Sequence, residues 1–205
     1  MPVVSGSSGR GVATSLAPLM GMQYIELESR RFPDGEGYVR VPSDAIDAVR
    51  SEPVVLVSNT YPDSGIVNTV LLLEAIADVR RGDLSNIKGE EPQSMEDVGN
   101  GVYLAIPYYG YSRQDKRFSK GEAVSARVIA EILERGCDGI AILDLHEPAV
   151  LDAMDVPIEF VSSMPEIAEL LQSEVSPDFV LSPDKGAISR ATEVAGLIGC
   201  EFSYL

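Results

Sequence analysis

The residues best suited to chemistry are concentrated between Tyr108 and Phe118, in the run Tyr-Tyr-Gly-Tyr-Ser-Arg-Gln-Asp-Lys-Arg-Phe. Three cations, Arg113, Lys116 and Arg117, fall within this run, although the chain has 32 acidic and only 16 basic residues. Guanidinium groups bind phosphate oxygens in bidentate fashion, a lysine acts as a point charge, and aromatic rings can stack on a base. The run therefore predicts a phosphate-binding loop, with a solvated basic loop as the alternative.

Three other polar segments also follow apolar runs. Ser5 to Arg10 is a Gly/Ser turn that could present backbone N–H groups to an anion or could be a simple tight connection. The segment Asp144-Leu145-His146-Glu147 holds the only histidine, which could bind a metal, move a proton or be a structural turn residue. Three ligands are too few for a closed zinc site, whereas Mg²⁺ shares its sphere with water and substrate phosphates.

The last of these segments runs from Ser182 to Ala187. Asp184 could bind a metal or a sugar hydroxyl, Lys185 a phosphate, and Gly186 would allow close backbone approach. A role of Asp184 as a helix-capping residue is nearly as good an interpretation. The role of this segment stays open on the residues alone.

These segments must be positioned by the elements that precede them. The hydrophobic pattern predicts short strands, several with the continuous apolar character of buried parallel strands. The predicted strands are Val3–Ser5, Tyr24–Leu27, Pro53–Ser58, Val102–Pro107, Gly139–Leu145, Ile158–Val161, Phe179–Ser182 and Glu201–Leu205. Helical patterns lie between them, at Gly11–Met20, Val67–Arg80, Ala123–Arg135, Pro165–Glu174 and Ile188–Ile198. Repeated strand and helix alternation predicts an α/β fold, whose ligands bind at the carboxyl ends of the strands.

Two segments interrupt this alternation. Phe32 to Pro42 contains a Pro-Asp-Gly turn followed by an alternating stretch, which predicts a hairpin that adds an antiparallel element to the sheet. Arg81 to Gly101 is polar and predicts an exposed loop insertion. A domain boundary is expected just after Leu145, giving domains 1–147 and 148–205, of which the second has too few strands for a complete sheet.

The composition excludes several classes of protein. A formal charge of −16 argues against a nucleic-acid binder, because a phosphate backbone requires a basic surface. The longest apolar runs are far shorter than the roughly 20 residues of a membrane helix. Cys137 and Cys200 are expected to be reduced packing residues. With no secretory signal recognisable after Met1, we expect a cytoplasmic protein without a membrane partner.

Taken in order, the motifs resemble ribose-phosphate pyrophosphokinase, the synthase of phosphoribosyl pyrophosphate. The likeness is carried by Arg31 to Glu36, by Pro107 to Phe118 with Gly121 and Glu122, by Asp144 to His146, and by Ser182 to Gly186. The resemblance implies two type I phosphoribosyltransferase-like domains with parallel sheets, the second apparently incomplete in this chain. It also implies a homo-oligomer in which ATP binds at a subunit interface.

The resemblance assigns roles to individual residues. The residues implied to bind ATP are Phe32, Asp34, Gly35, Glu36, Arg113, Gln114, Asp115 and Arg117. Of these, Phe32, Asp34 and Glu36 would contact adenine from a neighbouring subunit. His146 and Asp184 would bind Mg²⁺, and Asp184, Lys185 and Gly186 would hold pyrophosphate or ribose phosphate. The implied reaction transfers pyrophosphate from Mg–ATP to the C1 hydroxyl of ribose 5-phosphate and releases AMP.

The sequence departs from the family's pattern in three places. Arg81 to Gly101 is longer than the usual connection, and Glu147 replaces a commonly small residue beside the proposed metal. The family's catalytic loop and ribose-phosphate loop should follow Leu205, so we expect no catalytic residue within the 205 residues. A non-catalytic regulatory or assembly subunit and a type I phosphoribosyltransferase are therefore the alternative functions.

Overall fold

The structure of the protein is a computed structural model that describes residues 1–84, 95–99 and 101–205. The chain divides into two compact units, Met1–Phe160 and Val161–Leu205. The first unit holds the larger sheet and most of the hydrophobic core, and the second holds a small sheet of its own.

The first unit is built on a six-stranded sheet with helices between its strands. Its strands are β1 (Val3–Ser5), β2 (Tyr24–Glu26), β5 (Val54–Val57), β6 (Val102–Ile106), β7 (Gly139–Leu143) and β8 (Ile158–Val161). Their spatial order is β2-β1-β5-β6-β7-β8, and the neighbours from β2 to β7 pair in parallel. The predicted α/β class and parallel sheet are therefore confirmed.

The helices of this unit cover the sheet with apolar faces. They are α1 (Arg10–Leu19), α2 (Ile46–Ser51), α3 (Asp63–Arg81) and α4 (Ser125–Leu133). Val4, Leu56, Leu104 and Ile142 of the central strands are fully or almost fully buried, in the same core as Leu72 of α3. Burial on both faces explains why these strands are continuously apolar in the sequence.

The hairpin between β2 and α2 differs from expectation in one respect. Its strands, β3 (Glu28–Arg31) and β4 (Gly37–Arg40), pair antiparallel around a turn, as predicted. They form a separate two-stranded sheet, however, so the prediction that they would join the main sheet is wrong. Both strands are too polar and exposed for a place inside a buried parallel sheet, and β4 packs on α3 instead.

Two buried arginines hold the carboxyl ends of α2 and α3. Arg50 of α2 donates to the carbonyl oxygen of Val79 at 2.6 Å, while Arg80 of α3 donates to that of Val49 at 2.7 Å. Each helix thus supplies a guanidinium to the carbonyl groups that the other helix leaves unpaired at its end. Burial is the main cause that lowers the pKa of Arg80, and the neighbouring Arg50 lowers it further, against an opposing contribution from Asp138.

The predicted insertion from Arg81 to Gly101 is described only in part. Arg81 ends α3, and Gly82 follows in the left-handed region with φ 77°, as a helix-ending glycine commonly does. Residues 95–99 are exposed, whereas 85–94 and 100 lie outside the described residues. Among the described helices, none has the length and apolarity that crossing a membrane requires.

The second unit contains two parallel strands and two helices. These are α5 (Met164–Glu174), β9 (Phe179–Ser182), α6 (Ile188–Ile198) and β10 (Glu201–Tyr204). The division at Phe160 lies beyond the boundary expected at 147, because β8 joins the edge of the first sheet beside β7. Cys137, in the first unit, and Cys200, in the second, are both free thiols, as expected.

Candidate functional site

The loop from Tyr108 to Phe118 follows β6 at the carboxyl edge of the main sheet, as the sequence predicts. Its first anchor is Tyr109, whose side chain is buried and whose hydroxyl donates to the carbonyl oxygen of Ala126 at 2.7 Å. Burial raises the pKa of the Tyr109 hydroxyl, which stays protonated and available as a donor. The loop is thereby fixed to the first turn of α4.

A second anchor joins the loop to the segment that follows β5. The amide of Gly110 donates to the Thr60 hydroxyl at 2.7 Å, and the amide of Thr60 donates to the carbonyl oxygen of Tyr108 at 3.2 Å. A Cβ atom on Gly110 would lie 2.4 Å from the Thr60 carbonyl oxygen. Only glycine allows this approach, because carbon and oxygen atoms at that distance overlap.

A third anchor is made by Tyr111, which adopts a left-handed backbone with φ 64°. Its hydroxyl donates to Asp63 Oδ1 at 2.7 Å, and this hydrogen bond is the main cause that raises the pKa of Tyr111. Asp63 belongs to the first turn of α3, where a carboxylate is favoured by the helix dipole. The first half of the loop is therefore held by the segment that follows β5 and by the first turn of α4.

The second half of the loop is organised by Glu122. The Glu122 carboxylate accepts from the Phe118 amide at 2.6 Å and from Gln114 Nε2 at 3.4 Å, while its main-chain carbonyl accepts from Arg117 Nε at 2.8 Å. Gln114 and Arg117, both predicted to contact ATP, thus make contacts within the loop itself. Asp115 is partly buried in the same stretch.

Arg113 differs from the other predicted residues of the loop. Its side chain is exposed, and among the described residues no hydrogen-bond or ion-pair partner is found for its guanidinium. Lys116 lies 5.7 Å from the centre of the Phe118 ring. Arg117 is held by Glu122 and Lys116 lies near a ring, so Arg113 is the cation of this loop for which the described residues provide no partner.

The predicted adenine-contact residues lie on the turn between β3 and β4. Phe32 is 40% exposed and packs edge-on against Tyr38, with the Arg30 guanidinium 5.0 Å from its ring centre. Asp34 accepts from the Glu36 amide at 3.1 Å, and Gly35 has φ 94°. The turn is thus well ordered, and its apolar ring and carboxylates face solvent.

A cleft of about 600 Å³ lies beside this hairpin. It is lined by Ser7 and Ser8 after β1, by Tyr61 and Ser64 around the start of α3, and by Glu36 of the hairpin, with other residues of the same segments. In the sheet, β1 is followed along the chain by β2 on one side, and β5 is followed by β6 on the other side. The topological switch point therefore lies between β1 and β5, and the cleft lies there, at the place where α/β sheets bind ligands.

The sequence predicted only part of this cleft. The weak anion signal at Ser5 to Arg10 lies in the cleft wall, but Tyr61 and Asn68 were missed. Tyr61 lies just before α3, which begins at Asp63 and not at the predicted Val67, while Asn68 lies within the predicted helix and carried no signal of its own. Tyr61 also packs edge-on against Tyr108, which places the cleft next to the loop after β6.

The turn after β7 carries the predicted metal ligand. His146 is exposed, and Asp144 has a left-handed backbone with φ 50°. Glu147 accepts from the Ala149 amide at 3.4 Å and so begins a short 3₁₀ turn, Pro148–Leu151. The described part of the chain contains no group of three or more His, Cys, Asp or Glu residues arranged to hold a metal ion.

In the second unit, the predicted phosphate residues form the turn after β9. Asp184 Oδ1 accepts from the Ala187 amide at 3.0 Å, which is the capping role considered as an alternative. The Ser182 hydroxyl donates to the Asp184 carbonyl oxygen at 2.7 Å, while Lys185 and Gly186 are exposed. The turn thus leaves an ammonium group and a flexible backbone open to solvent at the end of a strand.

Comparisons with known proteins show which family this chain resembles. The sequence profile of the N-terminal domain of ribose phosphate pyrophosphokinase matches residues 98–136, which include the loop after β6. The ribose-phosphate pyrophosphokinase of Methanothermobacter thermautotrophicus is 35% identical over 99% of this chain and 64% of its own length. That of Methanopyrus kandleri is 34% identical over the whole chain and 64% of its length.

A third relative and a solved structure extend the comparison. The ribose-phosphate pyrophosphokinase of Halobacterium salinarum is 32% identical over 96% of the chain and 62% of its own length. The crystal structure of phosphoribosylpyrophosphate synthetase from Mycobacterium smegmatis matches 98% of this chain and 62% of that chain, with a TM-score of 0.75 and 20% identity, which establishes a shared fold. The chain therefore spans slightly less than two thirds of the length of these relatives, and it is similar to ribose-phosphate pyrophosphokinases along almost the whole of its own length.

Proposed function

We propose that the protein is a ribose-phosphate diphosphokinase, which transfers pyrophosphate from Mg–ATP to the C1 hydroxyl of ribose 5-phosphate and releases AMP. The observation that carries the proposal is the similarity to ribose-phosphate pyrophosphokinases along 99% of the chain, with the loop after β6 inside the matched profile. Phosphoryl-type transfers need positioning and positive charge around the phosphates more than covalent chemistry. The exposed Arg113 on a loop with three anchors supports such a role.

ATP is proposed to bind along the carboxyl edge of the main sheet. Arg113 would bind a phosphate through its guanidinium, and Tyr108 beside it exposes an aromatic ring. Gln114 and Arg117 would act chiefly by shaping the loop, since both already contact Glu122 or the loop backbone. This division of roles refines the assignment made from the sequence.

Adenine is proposed to be recognised by the hairpin turn of a second copy of the chain. The turn belongs to its own small sheet and exposes Phe32 for stacking, with Asp34 and Glu36 as acceptors for the exocyclic amine. A homo-oligomer with shared nucleotide sites would follow.

Mg²⁺ is the metal whose requirements fit this edge of the sheet. A resident metal ion normally needs several protein ligands, and the described residues offer no such group. Mg²⁺ usually keeps several waters and binds through one or two protein groups and the substrate phosphates, so His146 on its exposed turn could suffice. The ion would neutralise charge on the ATP phosphates, while Asp184, Lys185 and Gly186 would bind pyrophosphate or ribose phosphate.

The test measures ligand binding and product formation separately. We expect Mg–ATP to bind in isothermal titration calorimetry, and Arg113→Ala to weaken it about tenfold or more, since a hydrogen bond to a charged group contributes roughly 1.5–3 kcal/mol. Arg135→Ala is the matched control, because Arg135 is exposed beyond the far end of α4 and its loss changes the net charge equally. Equal affinity in both variants would contradict the assignment of the loop.

Chromatographic detection of AMP, with ribose 5-phosphate as acceptor, tests the reaction itself. Formation of AMP that depends on ribose 5-phosphate supports the diphosphokinase. Because the family's catalytic and ribose-phosphate loops are expected after Leu205, this assay uses a protein that carries them. ATP binding without AMP formation in that protein would favour the regulatory or assembly role instead.

A further inference from the structure

Glu122 forms hydrogen bonds with three residues of the loop from Tyr108 to Phe118, which we call the ATP loop. Its carboxylate accepts from the amide of Phe118 at 2.6 Å and from Gln114 Nε2 at 3.4 Å. Its main chain accepts from Arg117 Nε at 2.8 Å and donates to the Ser119 carbonyl oxygen at 3.4 Å. One residue therefore closes the second half of the loop on itself.

The contacts of Glu122 favour its ionised form. Backbone donors, first the Phe118 amide and then the Ser119 amide, lower the pKa of the Glu122 carboxyl group. A carboxylate that accepts backbone N–H bonds is a strong local organiser, because such charge-assisted hydrogen bonds are about twice as strong as neutral ones.

The position of this carboxylate is unexpected on electrostatic grounds. Lys116, Arg117 and Lys120 lie in the same loop, and a loop that binds phosphates would attract them more strongly without a negative charge in its centre. The Glu122 carboxylate therefore weakens the attraction of the loop for phosphates, and a structural benefit must offset this electrostatic cost. That benefit is the ordering of the segment directly after Arg113, whose free backbone would otherwise lose entropy on binding.

We propose that Glu122 is a positioning residue that holds the loop in its ligand-binding form, so that Arg113 is presented to the phosphates of ATP while Gln114 and Arg117 are retained within the loop. The part of this inference that concerns ATP rests on the function proposed above. The ordering of the loop by Glu122 stands on the hydrogen bonds alone.

Three substitutions separate the reach of the side chain from its charge. Glu122→Gln loses the charge and keeps an oxygen at the same distance from the backbone. Glu122→Asp keeps the charge and withdraws the oxygen by one methylene. Glu122→Ala loses both. If Glu122 acted only through its charge, the Gln and Ala variants would bind Mg–ATP equally tightly and more tightly than the wild type.

Positioning predicts a different order of affinities in calorimetry. We expect the Gln variant to bind Mg–ATP within about twofold of the wild type, and the Ala and Asp variants to bind about tenfold more weakly, the loss expected for one or two organising hydrogen bonds. Wild-type affinity in the Asp variant, or equal affinities in the Gln and Ala variants, would overturn the inference. Circular dichroism at the same temperature serves as the folding control.

Limited trypsin digestion tests the loop without ATP. Lys116, Arg117 and Lys120 are cleavage sites in this segment, and we expect faster cleavage there in the Ala and Asp variants but not in the Gln variant. Unchanged cleavage in all three variants would overturn the inference. If the wild-type protein does not bind Mg–ATP while digestion still ranks the variants as expected, the proposed function fails and the ordering of the loop by Glu122 survives.

Discussion

The contact between Gly110 and Thr60 makes Gly110→Ala the most informative single substitution. The new Cβ atom would lie 2.4 Å from the Thr60 carbonyl oxygen and 3.1 Å from the Thr60 carbonyl carbon. The loop would have to withdraw by about half an ångström or more, and both hydrogen bonds between the two segments would weaken. Overpacking costs about 1–3 kcal/mol and each hydrogen bond contributes about 0.5–1.5 kcal/mol, so we expect a loss of about 2–6 kcal/mol.

Urea unfolding measures this loss, and Gly11→Ala is its matched control. Gly11 lies in the exposed face of α1, with no described atom within 4 Å of the position that a Cβ would take. The same chemical change should there stabilise the protein by about 0.5–1 kcal/mol, because alanine favours the helix. Gly110→Ala should also weaken Mg–ATP binding. A Gly110→Ala variant as stable as the wild type would refute the close approach and the second anchor.

Three further outcomes are expected from other contacts. Arg50→Met should lower the free energy of unfolding in urea by about 2–4 kcal/mol, because the carbonyl groups at the end of α3 lose a charged donor. The control Arg135→Met, at an exposed position, should change the free energy of unfolding by less than about 0.5 kcal/mol. The folded-state pKa of Glu122 is lowered, so the stability it contributes is present at neutral pH and is lost as the pH falls through that pKa. Glu122→Gln keeps the oxygen acceptor and loses only the charge, so its unfolding free energy should lie slightly below that of the wild type at neutral pH and meet it in acid, and a gap that persists in acid would contradict this. Finally, mixing Phe32→Ala and Arg113→Ala proteins should restore part of the Mg–ATP binding that each lacks alone, and no recovery after subunit exchange would argue against a shared site.

The sequence predicted the frame of the fold because short apolar runs alternate regularly with helical patterns. β1, β8, β9 and α6 have the bounds that their apolar patterns predict. α2 was missed because six residues are too few for a clear helical period. The hairpin was recognised by its turn, but its separation from the main sheet depends on packing against α3, which no local pattern encodes.

The site was predicted in its residue types and only partly in its geometry. The cations of the loop could be recognised as a local reversal of charge in an acidic chain. The anchors could not, since Gly110 contacts Thr60 and Tyr111 contacts Asp63 across 50 and 48 positions of sequence. Gln114 shows the same limit, because its type suits ATP binding while its observed partners are Lys116 and Glu122.

The net charge of −16 explains why the anchors matter for a phosphate ligand. The field of the whole protein repels such a ligand, and at physiological ionic strength charges are screened beyond about 8 Å. Affinity must therefore come from contacts at short range, where a donor is effective only if its position is fixed before binding. Tyr109, Gly110 and Tyr111 fix the backbone on one side of Arg113, and Glu122 fixes it on the other. If the proposed function holds, Arg113 on this anchored backbone should therefore contribute more to ATP affinity than an exposed cation on an unanchored segment of the same acidic surface.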